Sequence, residues 1–168
     1  MSYDDDGNLL SDGTYNAEEE LQTLSEYEYD QDGNRIRWNI YDGNRSLLTY
    51  TTYEYEDGLN SRIMSYSPGG RLEEYFINEY NTEGKMTATA HYNSEDKLLQ
   101  TREYTYTSDG SLSKLQVLRP NGTTIRSVEY TYDEAGNPVV IRYLRAGNDL
   151  REEVRRKYIT RNVERVVE

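Results

Sequence analysis

The segment Tyr27-Glu28-Tyr29-Asp30-Gln31-Asp32-Gly33-Asn34 contains the local signals from which the fold is predicted. Tyr27 and Tyr29 lie two residues apart, so on a β-strand their side chains share one face. Residues 30–33 have the composition of a type I turn with glycine in the left-handed position, which closes a three-residue hairpin loop. The stretch therefore indicates the end of one strand, a tight turn and the start of an antiparallel partner.

This pattern recurs along the whole chain. One tyrosine, called here the anchor tyrosine, recurs at intervals of 26 residues, with a single interval of 25. A glycine follows each of the first six anchors by three or four residues. A fixed period of about 20–50 residues is typical of repeat proteins, so we predict six to seven 26-residue β-hairpin repeats. The anchor tyrosines are Tyr3, Tyr29, Tyr55, Tyr80, Tyr106, Tyr132 and Tyr158.

The other tyrosines occupy three further positions of the repeat. One precedes the anchor by two residues in four repeats, and Tyr50 and Tyr75 precede their anchors by five. Another follows the anchor by eleven or twelve residues, and Leu118 fills that place once. We assign to this position Tyr15, Tyr41, Tyr66, Tyr92 and Tyr143. These positions account for all 18 tyrosines, and a second, less regular turn is predicted half a repeat after each glycine.

The composition argues against a conventional two-layer domain. The chain has 18 Tyr but only one Phe, one Trp and three Met, which leaves little for a contiguous apolar core. Strands rich in Tyr and Thr that are joined by short loops pair antiparallel. We therefore predict an all-β fold, with a single domain over residues 1–168. It is an antiparallel meander of about 13 strands in one curled, spiralling sheet, held by cross-strand tyrosine pairs.

The C-terminal residues 150–168 are the one place where helix competes with strand. Leu150, Val154 and Tyr158 have helical spacing, whereas the register of the earlier repeats predicts a strand over residues 153–158.

The repeat motif resembles a known family. The stretch quoted above and Tyr130-Thr131-Tyr132-Asp133-Glu134-Ala135-Gly136-Asn137 resemble the tyrosine-aspartate (YD) repeats of the Rhs and teneurin superfamily, with partial copies at residues 104–110 and 3–8. The resemblance implies an antiparallel sheet that winds into a spiral. In large members the sheet closes into a shell around a toxin or sits on a cell surface. This chain has few units and lacks the family's Asp-Pro-Leu-Gly-Arg-type self-cleavage region. Its longer, regular period resembles that of the short secreted or lipid-anchored bacterial members.

Charge is distributed unevenly. Residues 1–84 hold 19 acidic and 5 basic side chains, whereas residues 85–168 hold 12 and 14. The acidic half repels nucleic acid and anionic lipid, so we expect neither as a partner. No segment is apolar enough to span a membrane, and the absence of cysteine excludes disulfides and thiolate sites. The acidic first strand and the basic last one predict weak, salt-sensitive head-to-tail self-association, or contact within one curled molecule.

Few residues are candidates for chemistry. Asp4 and Asp30 open segments like the start of an EF-hand loop, but the twelfth position, which needs a bidentate glutamate, is Tyr15 or Tyr41. We interpret both aspartates as turn formers. His91 is the only histidine and has no partner set for nucleophilic catalysis, so a structural role is expected. We predict no catalytic residue, no metal site and no cofactor.

Aromatic side chains are the candidates for ligand contact. Trp38 shares its strand face with Ile36 and Ile40, which favours packing; exposed beside Tyr41, it can instead stack on a sugar or a peptide. Tyrosine is a common recognition residue because it is rigid and amphipathic. The candidate ligand-contact residues are Trp38, Tyr41, Tyr53, Tyr55, Tyr104 and Tyr106.

These features favour a non-catalytic bacterial repeat module, extracellular or on the cell surface, that binds or displays an unknown protein or carbohydrate. Residues 1–6 show no signal peptide, so the expectation requires that one has been removed. Two alternatives stay open. One is a fragment or small relative of a toxin-encapsulating shell of the Rhs type. The other is an intracellular immunity or antitoxin protein whose acidic N-terminal half neutralises a basic toxin.

Overall fold

The computed structural model describes residues 1–158, which form 13 antiparallel β-strands in one open sheet. The strands follow one another in sequence order across the sheet, so the predicted meander is confirmed. The strands are β1 (Ser2–Tyr3), β2 (Leu9–Tyr15), β3 (Leu21–Tyr29), β4 (Arg35–Asp42), β5 (Leu47–Glu56), β6 (Leu59–Tyr66), β7 (Leu72–Tyr80), β8 (Met86–Asn93), β9 (Leu98–Tyr106), β10 (Leu112–Leu118), β11 (Thr124–Tyr132), β12 (Pro138–Arg145) and β13 (Leu150–Arg155).

Helix is almost absent from the described part of the chain. Its one helical segment is a three-residue 3-10 turn at Ala146–Asn148. Strand β13 occupies the start of the segment where helix and strand competed, and it ends at Arg155, short of the predicted residue 158. The remainder of the competing segment, residues 159–168, lies outside the described residues. Arg161 and Arg165, two of the basic side chains behind the predicted end-to-end contact, belong to it.

The Cα atoms cluster into two compact units. The first is Met1–Gln100 and the second is Thr101–Glu168, so the boundary falls within β9. Strands β1 to β8 belong to the first unit, and strands β10 to β13 belong to the second. That residues 1–168 behave as a single domain stays a prediction.

The loop after Tyr29 has the predicted geometry. The Gly33 N–H donates to the Asp30 carbonyl oxygen at 3.2 Å, and the Asp30 N–H donates to the Asn34 carbonyl oxygen at 2.9 Å. Gly33 has φ +81°, the left-handed conformation that glycine adopts most easily. The sheet register shifts by one residue beside this loop, as expected for a type I turn followed by a bulge.

The second turns up to β11 have the same two backbone hydrogen bonds. In four of the six second turns within residues 1–158 the left-handed residue is not a glycine. In the loop between β4 and β5 that residue is Arg45, with φ 61°, rather than a glycine. Gly43 in the same loop is required for another reason: a Cβ atom there would collide with the carbonyl oxygen of Leu21. This is why the half-repeat turns look irregular in the sequence.

One loop explains the single interval of 25 residues. Between β5 and β6 the loop has only two residues, Asp57 and Gly58, with φ 51° and 76°. Two consecutive left-handed residues define a type I′ turn, and Glu56 pairs directly with Leu59 across it. The separation between an anchor and its sheet partner is therefore one residue shorter, from Tyr55 to Asn60 rather than from Tyr29 to Arg35, while the strands on both sides keep the repeat's facing pattern.

The strand register defines two faces. Tyr27 pairs with Trp38, and Trp38 pairs with Thr51, on the face that carries the anchor tyrosines, which we call the anchor face. On the other face, which we call the reverse face, the half-repeat position lies beside the position five before the anchor. The pairs there are Leu24 with Tyr41, Tyr50 with Tyr66, Tyr75 with Tyr92, Thr101 with Leu118 and Ser127 with Leu144.

This register corrects one assignment. Tyr143 does not share the position of Tyr41, because it pairs with Val128 on the anchor face. Tyr66 and Tyr143 each follow their anchor by eleven residues, but only Tyr66 follows the shorter loop. The loop after Tyr132 has the ordinary length, so Tyr143 lies one residue before the shared position. Leu144 occupies the position that was assigned to Tyr143.

Deep burial is rare in this single-layered sheet. Within residues 1–158, the buried hydrophobic side chains are Tyr75, Val117 and Ile141, which are 5%, 5% and 6% exposed. Stacked tyrosine pairs supplement this small core on the reverse face of the first unit. Tyr50 and Tyr66 have ring centroids 4.8 Å apart, and the Tyr75–Tyr92 pair is at 4.9 Å. Such pairs contribute about 0.2–1 kcal/mol each, and they confirm the predicted cross-strand tyrosine packing in the first unit.

Candidate functional site

The anchor tyrosines tie successive repeats together. The Tyr55 hydroxyl donates to the carbonyl oxygen of Arg35 at 2.9 Å, and Arg35 is the sheet partner of the preceding anchor, Tyr29. The same bond recurs from Tyr29 to Leu9 at 3.0 Å, from Tyr80 to Asn60 at 2.8 Å, from Tyr132 to Leu112 at 2.7 Å and from Tyr158 to Pro138 at 3.4 Å. Because the acceptor is a backbone carbonyl, the side chain at the acceptor position is free to vary.

Arg35 occupies one of these variable acceptor positions, and its side chain lies at the centre of an aromatic cluster on the anchor face. Its guanidinium carbon lies 4.9 Å from the ring centroid of Tyr53, 5.5 Å from that of Tyr27 and 5.9 Å from that of Trp38. The Tyr27 and Trp38 rings stack across the two strands, with centroids 6.2 Å apart. We call these four residues the Arg35 cluster. Cation–π contacts of this kind contribute about 0.5–2 kcal/mol, so the cluster stabilises the sheet in addition to any other role.

The cluster holds polar atoms without protein partners. Arg35 Nε and Trp38 Nε1 are buried, and neither has a hydrogen-bond partner within residues 1–158. Burial raises the pKa of the Tyr53 hydroxyl, and the positive charge of Arg35 partly opposes this. Burial also raises the pKa of Tyr27, whose hydroxyl donates to Asp12 Oδ1 at 2.8 Å. Both tyrosines therefore stay protonated at neutral pH.

An open groove lies beside the cluster. Its volume is about 500 Å³, and Arg35, Tyr53 and Ile63 line it together with the anchors Tyr29 and Tyr55. The hydroxyls of both anchors are committed to carbonyl groups of the scaffold, so each ring is held in place. The groove thus combines rigid aromatic walls with one guanidinium group.

The predicted contact residues are only partly brought together. Trp38, Tyr53 and Tyr55 lie on the anchor face of the first unit. Tyr41 does not lie beside Trp38: it pairs with Leu24 on the reverse face, because residues three apart on a strand point in opposite directions. Burial raises the pKa of Tyr41, and the neighbouring Glu26 adds to this.

The remaining two predicted contact residues belong to the second unit. Tyr104 and Tyr106 lie on its anchor face, where they pair with Leu115 and Leu112. These β10 partners are aliphatic, as is Ile63, the β6 partner of Tyr53. Tyr27 differs in pairing with Trp38, and Arg35 lies over the Tyr53 ring.

Arg35 was missed as a member of the site. Simple alternation along β4 places Arg35 and Arg37 on one face and Ile36 and Trp38 on the other. The bulge beside the turn shifts the register at Tyr29, and Arg35 thereby joins the face of Trp38. The only sequence signal was the glycine that makes this bulge, Gly33.

The turn aspartates are engaged by their own loops. Asp30 Oδ1 accepts hydrogen bonds from the backbone N–H groups of Asp32 and Asn34 at 3.0 and 2.8 Å, and Asn34 Nδ2 donates to Oδ2 at 3.1 Å. The bonds from Asn34 are the main reason that the pKa of Asp30 is lowered. Asp4 has the same partners in its loop. These bonds support the interpretation of both residues as turn formers.

Other groups capable of chemistry are isolated. His91 Nε2 lies 2.8 Å from Glu74 Oε2, and its ring stacks on Phe76 with centroids 4.4 Å apart. Within residues 1–158 no group of three or more His, Cys, Asp or Glu side chains can hold a metal ion. In the same part of the chain, no helix has the length and apolarity needed to cross a membrane.

Comparison with known proteins identifies shared architecture. No protein-family model and no curated protein matches the chain. Among solved structures, it is similar to a chain of the Photorhabdus luminescens Tc holotoxin pore, with a TM-score of 0.50 and 16% identity over 86% of this chain and 9% of that one. It is also similar to a chain of the TcdB2-TccC3 crystal structure, with a TM-score of 0.59 and 16% identity over 90% of this chain and 8% of that one.

At this level of identity the two likenesses show the fold alone. The chain spans less than a tenth of the length of either toxin chain. The architecture is therefore that of a small part of a Tc toxin chain.

Proposed function

We propose that the protein is a non-catalytic bacterial repeat module, secreted or attached to the cell surface, that binds a protein or carbohydrate ligand on the anchor face of its first unit. The observation that carries this proposal is the open groove beside Arg35, with its aromatic walls. Arg35 forms no ion pair within residues 1–158, and its guanidinium faces three rings.

The physical argument rests on preorganisation. Tyr, Trp and Arg are enriched where proteins recognise partners, because they bring large rigid surfaces with few polar atoms. The bonds from Tyr29 and Tyr55 to backbone carbonyls hold the groove walls before any ligand arrives. A ligand therefore orders few side chains on binding, which lowers the entropic cost of association.

We also propose that the chain is a short bacterial member of the tyrosine-aspartate repeat superfamily. The repeated motif and the fold it shares with Tc toxin chains support this assignment. The same likeness favours a second candidate function, a fragment or relative of a toxin-encapsulating shell. The gene's surroundings separate the two, because a shell fragment requires a toxin domain in the same or a neighbouring gene.

Glycan and peptide arrays test the binding proposal directly. The whole chain is compared with two variants, Arg35→Met and Arg37→Met. Each change removes a guanidinium from strand β4 that packs on a tyrosine ring, but Arg37 lies over Tyr50 on the reverse face. We expect array ligands to bind the wild type and the Arg37→Met variant. Binding to the Arg35→Met variant should be lost. Mass spectrometry of a bound ligand should find it chemically unchanged.

The binding proposal fails if neither array yields a ligand, or if the two variants lose binding equally. Conversion of a bound ligand to product would contradict the non-catalytic assignment while leaving the site in place.

A further inference from the structure

A row of arginines crosses the anchor face of the second unit. Val117 on β10 pairs with Arg102 on one side and with Arg126 on the other, and Arg126 pairs with Arg145 on β12. Directly opposite side chains on antiparallel strands share a face, with Cβ atoms about 4.5–5.5 Å apart. Arg102, Arg126 and Arg145 therefore stand in one line across four strands. All three are exposed, whereas Val117 between them is only 5% exposed.

The reverse face of the same strands is arranged in the opposite way. Lys114, Glu129, Arg142 and Glu153 are successive cross-strand partners, so their charges alternate across the sheet. Lys114 Nζ lies 3.3 Å from Glu129 Oε1, and Arg142 Nε lies 2.7 Å from Glu153 Oε2. The charges in this row therefore neutralise one another. Opposite charges on neighbouring strands stabilise the sheet and leave no net charge for a partner.

The arginine row has no such compensation. Arg126 and Arg145 are like charges directly opposite each other, an arrangement that destabilises a sheet. Within residues 1–158 no ion pair joins Arg102, Arg126, Arg145 or Arg151 to a carboxylate. Glu152 shares this face through its pairing with Tyr143, yet it forms no ion pair with these arginines either. An uncompensated charge row beside a self-neutralising one points to an anion from outside this part of the chain.

A small groove lies among these arginines. Its volume is about 290 Å³; Leu115, Val117, Val128 and Tyr143 supply its apolar lining, and Arg126, Arg145 and Arg151 its charges. Tyr143 is 37% exposed, so the apolar surface is accessible. This volume is at the lower limit of ligand pockets, which hold about 300–1,000 Å³, and it therefore suits a single side chain.

We propose that the row of Arg102, Arg126 and Arg145, together with Arg151 at the groove, binds an acidic polypeptide segment. Aspartate or glutamate carboxylates of the segment pair with the guanidinium groups, and one of its apolar side chains occupies the groove. Arginine suits this role because its planar donors bind a carboxylate through two parallel hydrogen bonds. The partner thereby removes the repulsion between Arg126 and Arg145, so part of the binding free energy comes from relieving strain in the free protein.

Charge favours a polypeptide over a nucleic acid as the partner. The whole chain carries a net charge of −12, which repels any anionic partner and most strongly a polymer with one phosphate on every unit. An acidic peptide needs to bring only the few carboxylates that the arginines can pair. Its apolar side chains also match the groove, which a phosphate backbone cannot fill.

The test uses the whole chain and a short synthetic peptide of alternating glutamate and leucine. Binding is measured by calorimetry for the wild type and for Arg126→Gln, Arg145→Gln and Arg142→Gln. The last variant is the matched control, since Arg142 lies on the same strand as Arg145 and faces the other side. The comparison probes are an alternating glutamine and leucine peptide, polygalacturonate and a single-stranded oligonucleotide.

We expect the glutamate peptide to bind, and its affinity to fall roughly tenfold in the Arg126→Gln and Arg145→Gln variants while Arg142→Gln retains it. The Arg145→Glu variant should lose binding yet unfold at a higher urea concentration than the wild type, because it faces Arg126 with an opposite charge. The proposal is overturned if the glutamate peptide does not bind, if the glutamine peptide binds as well, or if Arg142→Gln loses as much affinity. Tighter binding of the polygalacturonate or of the oligonucleotide also overturns it. These outcomes do not depend on the Arg35 groove, whose ligand and variants are different.

Discussion

The first unit, residues 1–100, and the described part of the second, residues 101–158, have the same repeat backbone but carry different side chains on its faces. Trp38 and Ile141 occupy equivalent places, since each pairs with the tyrosine two residues before an anchor, Tyr27 and Tyr130 respectively. Trp38 is half-buried in an arginine-centred aromatic cluster. Ile141 is 6% exposed and has Val154 on its other side. The same backbone position thus supports an aromatic site in one unit and an aliphatic core in the other.

This difference shows which parts of the repeat carry the fold. The glycine turns after the anchors, apart from the shorter one at Asp57–Gly58, and the anchor hydroxyl bonds recur in both units, and the atoms that accept the anchor bonds belong to the backbone. The residues on the faces are not constrained by these bonds and have diverged. Residues 1–100 hold 21 acidic and 7 basic side chains, whereas residues 101–168 hold 10 and 12. The repeat backbone therefore tolerates different residues on its faces.

The largest effect is expected from removing the aliphatic core of the second unit. Ile141→Ala should lower the free energy of unfolding by about 2–3 kcal/mol, near the lower limit for buried aliphatic truncations because the sheet has one layer. Ile77→Ala in the first unit, where Ile77 is 37% exposed, should cost less than about 1 kcal/mol. Urea unfolding followed by circular dichroism measures both. Equal losses would mean that the two units do not differ in how they are held together.

The next effect concerns the glycine turns after the anchors, and the loss of stability should be equal in the two units. Gly33→Ala and Gly136→Ala each place a Cβ on a residue with φ near 80°, where the surrounding space is open, so backbone strain of about 1–2 kcal/mol is the whole cost. Gly69→Ala is the control, because Gly69 has open space and no positive φ. It should leave stability unchanged or raise it slightly. Thermal unfolding of the three variants measures these changes in stability. If Gly33→Ala left the stability unchanged, the result would contradict the turn geometry.

A smaller effect is expected from the anchor bonds. Tyr55→Phe and Tyr132→Phe each remove one hydroxyl that donates to a backbone carbonyl, and each should cost about 1 kcal/mol. Tyr143→Phe is the matched control, since its hydroxyl makes no hydrogen bond within residues 1–158. Denaturant titrations of the three variants give the comparison. If Tyr143→Phe costs as much as the others, the anchor bonds are not what joins the repeats.

The smallest effect is electrostatic and appears only in acid. Hydrogen bonds from Asn34 and from Asn137 lower the pKa of Asp30 and Asp133 in the folded protein. A lowered folded-state pKa contributes stability above the unfolded-state pKa, near 4, and that contribution disappears as the pH falls through the folded-state value. Stability should therefore decline below about pH 4.

An asparagine variant isolates this contribution. Asn81 already occupies the equivalent turn position, and its Oδ1 accepts the same backbone hydrogen bonds at 3.0 and 2.9 Å. The double variant Asp30→Asn, Asp133→Asn should keep its turns and lose stability less steeply in acid. Unfolding midpoints measured across the acid range test this. A decline as steep as that of the wild type would show that other carboxylates dominate.

Much of the fold could be predicted because the informative residues are local. Gly33 and its equivalents mark turns whose geometry depends on a few consecutive residues, and the spacing of the anchors sets the strand length between them. The candidate site was less accessible to prediction. Trp38, Tyr53 and Tyr55 were expected to share a role and do share a face, but Tyr41 faces the other way and Arg35 was not foreseen.

Each of these misses has the same physical origin. A one-residue change of register turns a side chain to the other face of a sheet. The bulge beside Gly33 makes such a change for Arg35, and the ordinary length of the loop after Tyr132 makes one for Tyr143 relative to its assigned place. Spacing along the chain does not reveal which loops contain the extra residue.

The repeat, its period, the antiparallel order of the strands and the turns that join them can be inferred from the sequence, because all of these follow from contacts between residues close along the chain. Which side chains meet on each face is seen in the folded sheet alone. The cluster around Arg35, the carbonyl groups that receive the anchor hydroxyls and the line of Arg102, Arg126 and Arg145 each join residues from different strands. Which residues meet there depends on register, and register is set by bulges and loop lengths acting together across the sheet.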